Sequence, residues 1–201
     1  MNSYSHIRIG RLVLNRLQNK YGISLPTASF LWANCKPDYS IKYKKIPHYK
    51  KSMEQEFKRL IEEVSLYKWE NKNIFLIFDR LGVICHFICD FFCYAHSPSF
   101  SGGLKEHISY EARVNRFIKE NPVLLENWIS FDNCFENKTA EDLLYWFDSR
   151  YKRYILTPNN VVCDVEFSIS VSLELTSRLL DFILCNSQVI SNCAKSKFVS
   201  I

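Results

Sequence analysis

The chain has 201 residues and a mass of 23.8 kDa, with 47% apolar residues, 23% charged residues and a formal net charge of +5. That length and balance support a sizeable core and exclude a disordered or fibrous chain. The small positive excess gives only mild steering toward phosphates.

The N-terminal stretch MNSYSHIRIGRLVLNRL has no continuous apolar run and no small-residue cleavage site, so no secretory leader is visible. Cytoplasmic placement is the expectation, or secretion if a leader was removed. The first expected helix covers Ile7 to Tyr21, where Ile7, Ile9, Leu12, Val13, Leu14 and Leu17 recur at helical spacing and Gly22 suits a C-cap. His6 stands at its mouth. Residues 28–50, ASFLWANCKPDYSIKYKKIPHYK, read as an irregular loop carrying Pro37, Asp38, Pro47 and His48. Loops held by a rigid scaffold often carry functional residues.

Lys51 to Trp69 reads as an amphipathic helix with Met53, Phe57, Leu60, Ile61, Val64 and Tyr67 on one stripe, and Asn71 to Asn73 breaks the pattern. The central helix is expected from Ile74 to Ala95. Its apolar run, Ile74 to Tyr94, contains Asp79, Arg80, His86 and Asp90, so a membrane span would put four ionisable groups into hydrocarbon. A buried helix is the reading, with no transmembrane segment. Ser97, Pro98, Ser101, Gly102 and Gly103 mark a turn into a second helix that runs past Glu111 to about Lys119. Further helices are expected at Pro122 to Ile129, at Thr139 to Tyr154 and, despite many β-branched residues, at Pro158 to Cys193. With no competing strand alternation, no repeat and no linker, one all-α domain over residues 1–201 is expected. The eight cysteines, Cys35, Cys85, Cys89, Cys93, Cys134, Cys163, Cys185 and Cys193, show no paired CxxC spacing and read as free thiols. The stripe of Cys85, Cys89 and Cys93 reads as packing rather than a soft-metal site.

Chemistry concentrates between Leu81 and Glu111, which holds three of the five histidines. His86 and Asp90 are four residues apart, so on a helix they share one face with Cβ atoms about 5–6 Å apart. His107 and Glu111 repeat that spacing, and His96 lies between the pairs, closing the first helix. One such pair is an ordinary helix hydrogen bond. Two pairs and a third histidine in so short a span point to metal ligation, and imidazole with carboxylate favours zinc, with manganese or iron as substitutes. A cluster this dense can hold more than one ion.

His6, Pro37 with Asp38, Pro47 with His48, the His86–Asp90 pair, His96 and the His107–Glu111 pair together resemble the zinc-dependent phospholipase C family, whose architecture is shared with single-strand-specific zinc nucleases. The resemblance covers roughly the first 111 residues and uses all five histidines. It implies an all-α, multi-helix fold with two or three zinc ions in a cleft. Carried over, Asp38, His48 and His86 hold the first ion, with Asp90 bridging to another. His96, His107 and Glu111 hold the second. His6, Asp90 and the terminal nitrogen and carbonyl hold the third. Secreted relatives use an amino-terminal tryptophan, whereas Met1 stands here, five residues before His6. The expectation is that the Met1 amine is a ligand, since an unperturbed amine near 7.7–8.0 is readily neutral. Asp38 is also the family's candidate for orienting or deprotonating the attacking water.

The implied reaction is hydrolysis of a phosphodiester by a zinc-activated water, with a phospholipid or head-group-like substrate and peripheral membrane contact. Glu111 supports this reading, because the nuclease branch carries aspartate there. A nuclease or phosphomonoesterase on the same scaffold, with nucleic acid as partner, is the alternative, and a non-catalytic metal-binding relative is the third. Lys42, Lys44, Lys45, Lys50 and Lys51 flank His48 and could draw an anionic surface toward the cleft.

Overall fold

The computed structural model describes residues 1–70, 72–128 and 139–187. Expectations that fall on Asn71, on the Lys44 side chain, on Ile129, on Cys134 and on the end of the last helix with Cys193 lie outside the described residues. Among those residues the protein is all-helical.

Helix α1, Ser3–Tyr21, begins four residues earlier than apolar periodicity suggests. The cause is a cap: the Asn2 side chain accepts from the Ser5 backbone N–H at 3.0 Å, so the polar residues Ser3 to Ser5 form the first turn. His6 therefore lies inside the helix, buried, rather than at its mouth. Gly22, at φ +64°, closes the helix as expected by donating its N–H to the Gln18 carbonyl at 2.8 Å.

Residues 28–50 are not an irregular loop. They contain three short helices, α2 (Thr27–Ala33), α3 (Lys36–Tyr39) and α4 (Ile41–Lys44). Each is too short for a periodic signal and too short to stand alone in water. Tertiary contact and local caps hold them: α2 lies along the central helix, Pro37 sits in the first turn of α3, and the Ser40 hydroxyl accepts from the Lys42 N–H at 3.3 Å to open α4. Helix α5, Lys50–Ser65, buries Met53, Phe57, Leu60, Ile61 and Val64 and stops short of the expected Trp69.

The central helix α6 spans Ile74–Phe91 and is buried at every position from Leu81 to Phe91. It packs against α2, α5 and α10. It also ends earlier than expected, and His96 is carried by a separate 3₁₀ turn, Tyr94–His96, instead of closing the helix. Helix α7, Leu104–Glu120, follows, then α8, Pro122–Asn127. Helix α9, Ala140–Tyr154, opens with a reciprocal cap: Asp142 N–H donates to the Thr139 hydroxyl at 3.1 Å and Thr139 N–H to the Asp142 carboxylate at 2.9 Å. Helix α10, Val161–Cys185, starts where Asn160 accepts from the Cys163 N–H at 2.9 Å, three residues past the expected Pro158. Its buried face overrides the weak helix propensity of its Val and Ile residues. No described helix is long and apolar enough to cross a membrane. The six described cysteines are free, and Cys85, Cys89 and Cys93 are fully buried packing residues.

Helix α6 lies tight against α2 at Gly82. A Cβ placed on Gly82 would lie 2.4 Å from the Phe30 carbonyl oxygen and 2.7 Å from the Ala33 Cβ. Gly82→Ala is expected to force α2 away from α6 and cost about 1–3 kcal/mol, the usual range for overpacking. Chemical denaturation checks this, and an unchanged midpoint would show that the two helices separate freely.

Candidate metal centre

The site is built on the deepest part of α6. His86 and Asp90 occupy one face, one turn apart, and both side chains are fully buried. The Nδ1 of His86 lies 2.9 Å from the Asn34 carbonyl, at the end of α2. A carbonyl only accepts, so Nδ1 carries the proton and the Nε2 lone pair faces the cluster. That Nε2 lies 3.1 Å from Asp90 Oδ2, 3.1 Å from His48 Nδ1 and 3.7 Å from Asp38 Oδ1. His48 Nδ1 is in turn 3.0 Å from Asp90 Oδ2 and 3.9 Å from Asp38 Oδ1. Four ligand atoms from α3, the segment before α5 and α6 thus converge within 4.8 Å of one another.

A second group forms where the 3₁₀ turn meets α7. Glu111 Oε1 lies 3.0 Å from His96 Nε2 and 3.1 Å from His107 Nε2, and the two imidazole centroids are 4.9 Å apart. These three ligand atoms also fall within 4.8 Å of one another.

Asp90 faces both groups. Its Oδ2 belongs to the first, whereas its Oδ1 is paired with the Met1 amine and lies 3.3 Å from His6 Nε2 and 3.6 Å from His96 Nε2. His6 Nε2 is also 3.0 Å from the Met1 carbonyl oxygen, and the Met1 nitrogen is 2.9 Å from His96 Nε2 and 3.4 Å from Glu111 Oε1. Met1, His6, Asp38, His48, His86, Asp90, His96, His107 and Glu111 are therefore one continuous cluster. The Met1 amine and His6 Nε2 both lie against Asp90 Oδ1.

The electrostatics express how closely these atoms are packed. Burial alone would raise the Asp90 carboxyl, but the charges of His96, the amine, His86 and His6 hold it well below the usual carboxylate range. Burial likewise opposes the shift at Glu111, where hydrogen bonding to His96 and the nearby amine bring it down to about 2. Burial beside His86 pushes His6 down to about 4, outweighing its contact with Asp90. At His48 burial is outweighed by the Asp90 hydrogen bond and by the charges of Asp90 and Asp38, and the net shift is upward. The Met1 amine departs from the sequence expectation of an unperturbed group. Burial would lower it, but Asp90, Cys93 and Glu111 together raise it to about 12. Ligation of a cation requires the neutral amine, so a cation bound there would displace its proton.

The donor set fits zinc. Imidazole nitrogens and carboxylate oxygens face inward with almost no other partners, and the His6 and His86 rings stack at 4.1 Å, with their Nε2 atoms turned toward the same carboxylate. His6 Nδ1 has no hydrogen-bond partner among the described residues, and Nε2 meets the Met1 carbonyl and Asp90 Oδ1.

Two supporting residues escape a sequence reading. Asn34 orients both buried histidine-bearing helices, its carbonyl accepting from His86 and its side-chain amide donating to the His6 carbonyl at 2.7 Å. Ser3 donates to Asp38 Oδ2 at 3.3 Å and contacts the Tyr39 hydroxyl at 2.9 Å. Neither belongs to a recognisable spacing. The expected basic flank is partly neutralised: Lys42 pairs with Glu56 at 2.6 Å, and Lys50 with Asp148 at 2.9 Å and Glu54 at 3.3 Å.

A family model described as zinc dependent phospholipase C matches residues 5–161. No curated protein and no solved structure matches the chain.

Asp90→Asn removes the negative charge that both groups share. It is expected to lower metal content in both groups at once, read as zinc per chain by elemental analysis after dialysis. Full retention of zinc would show that Asp90 does not bridge.

Proposed function

This chain belongs to the zinc-dependent phospholipase C family, and from that membership we propose that it is a zinc phosphoesterase hydrolysing the phosphodiester bond of a phospholipid. The observation that carries the reading is the convergence of the ligand groups on the two oxygens of Asp90. Asp38, His48 and His86 would hold one ion with Asp90. His96, His107 and Glu111 would hold another, and Met1, His6 and Asp90 a third. When bound, zinc supplies Lewis acidity toward phosphoryl oxygens and acidifies a water toward neutral pH.

The chain's own residues supply the rest. Asp38 is the most exposed carboxylate of its group, and its Oδ2 is held by the Ser3 hydroxyl. It is placed to orient an incoming water and to take its proton. The other ligands are anchored from behind: His86 by the Asn34 carbonyl, and His6 by its position inside α1. Such outer contacts fix ring orientation and keep the reacting geometry tight.

Surface features favour a lipid over a nucleic acid. Tyr4 and Tyr39 flank the Ser3–Asp38 contact and are exposed, as is Ile41 at the start of α4. Leu104 and Ile108 are exposed on α7, the helix of His107 and Glu111. Exposed apolar residues on the ligand-bearing elements suit contact with a lipid surface. Lys42 and Lys50 are committed to carboxylates and so are poorly placed to follow a polyphosphate backbone.

Two measurements test this. Protein with an unextended N-terminus, reconstituted and dialysed, is expected to hold two to three zinc ions per chain and to hydrolyse lecithin vesicles in preference to single-stranded DNA. No bound zinc would remove the phosphoesterase reading, and a preference for DNA would transfer the site to the nuclease alternative. A peptide added before Met1 turns the terminal amine into an amide. It is expected to lower the zinc count by one, and an unchanged count would eliminate the amine as a ligand.

A further inference from the structure

We propose that Asp164 is a positioning residue for the metal centre: its buried carboxylate ties the turn that carries His96 to the helix that carries His107 and Glu111. The inference rests on the metal-centre reading above and adds a residue outside the 5–161 segment matched by the family.

Asp164 lies in the first turn of α10, and its side chain is fully buried. One oxygen, Oδ2, accepts from the Tyr94 backbone N–H at 2.8 Å and from the Tyr110 hydroxyl at 2.8 Å. The other, Oδ1, accepts from the Tyr154 hydroxyl at 2.8 Å. Tyr94 opens the 3₁₀ turn whose last residue is His96. Tyr110 immediately precedes Glu111 in α7, three residues after His107. A single carboxylate oxygen therefore spans the two elements that deliver the second ligand group, and it touches none of the ligands itself.

Burying a carboxylate is costly unless its oxygens are satisfied, and the three donors satisfy both oxygens of this one. Hydrogen bonds to a charged acceptor are short and strong, which suits a clasp between a turn and a helix. The surrounding rings reinforce the register. Tyr94 meets Tyr110 at 5.7 Å and Phe100 at 5.3 Å, and Phe100 stands edge-on to His107 at 5.9 Å. Loosening the Tyr110 contact would let α7 move relative to the turn, separating Glu111 and His107 from His96.

The third donor provides the control. Tyr154 is as buried as Tyr110 and donates to the same carboxylate, but it comes from α9, which carries no ligand. Tyr110→Phe and Tyr154→Phe each delete one hydroxyl from the same acceptor. They are chosen over Asp164→Ala, which would strand three buried donors at once. Both variants and the wild type are reconstituted with zinc and titrated against a chromophoric zinc chelator, and their melting temperatures are recorded. Tyr110→Phe is expected to release one zinc per chain with roughly tenfold lower affinity, the scale of outer-contact effects on metal sites. Tyr154→Phe is expected to lose comparable thermal stability while keeping wild-type zinc affinity. Wild-type affinity in Tyr110→Phe, or equal zinc loss in both variants, would overturn the positioning role and leave the metal centre standing. A wild type that binds no zinc would overturn the metal-centre reading and this inference together.

Discussion

Asp90 is a carboxylate with no access to solvent, in the last turn of the buried helix α6, and each of its oxygens faces different partners. Such a group is tolerated only because cationic and hydrogen-bonding partners surround it; alone, its desolvation would cost several kcal/mol. Most of the unusual features of this fold follow from that requirement. Helix α6 must be buried on all sides to bring Asp90 to the centre, and this requires a partner on every face. Gly82 lets α2 come close enough to set the Asn34 carbonyl behind His86. The Asn2 cap extends α1 so that His6 and the amine reach the other oxygen.

The ligands arrive from α1, α3, the residues before α5, α6, a 3₁₀ turn and α7, so the cluster is a property of the tertiary structure rather than of any one motif. In this arrangement lone pairs and protons on neighbouring imidazoles and carboxylates crowd together, with His48 and His86 nitrogens 3.1 Å apart. A cation that binds the folded form relieves that crowding and cannot find the same geometry in the unfolded chain. Its binding free energy therefore adds to folding stability. Phe87 and Phe91 of α6 stack on one another, and Phe91 meets Phe57 of α5 and Phe147 of α9, which packs α6 against both helices.

The pairs His86–Asp90 and His107–Glu111 were readable because a four-residue spacing on a helix has one geometric meaning. The start of α1 was not, because the Asn2 cap replaces apolar periodicity with a side-chain hydrogen bond in its first turn. Residues 28–50 hid three helices, each stabilised by what it packs against rather than by its own pattern. Asn34 was invisible for a different reason. It acts on His86 through a backbone carbonyl, and every residue has one. Asp164 did carry a faint signal as an acid in an apolar segment, but its meaning depends on two tyrosines and an amide brought from distant parts of the chain.

The charge of the cluster also constrains what can enter it. Burial is outweighed at Asp90 and Glu111, which are held below the usual carboxylate range, and at the Met1 amine and His48, which are both raised. His6 and His96 are held toward the neutral form by burial. The cluster brings the carboxylates of Asp38, Asp90 and Glu111 together, and a phosphodiester meets like charge at each ionised one. Attraction for a phosphate requires the opposite sign, and two neighbouring lysines, Lys42 and Lys50, are paired with Glu56 and Asp148. On the reading proposed above, cations held by these carboxylates would supply the positive charge that a phosphoester needs, so the same residues would serve metal first and substrate second.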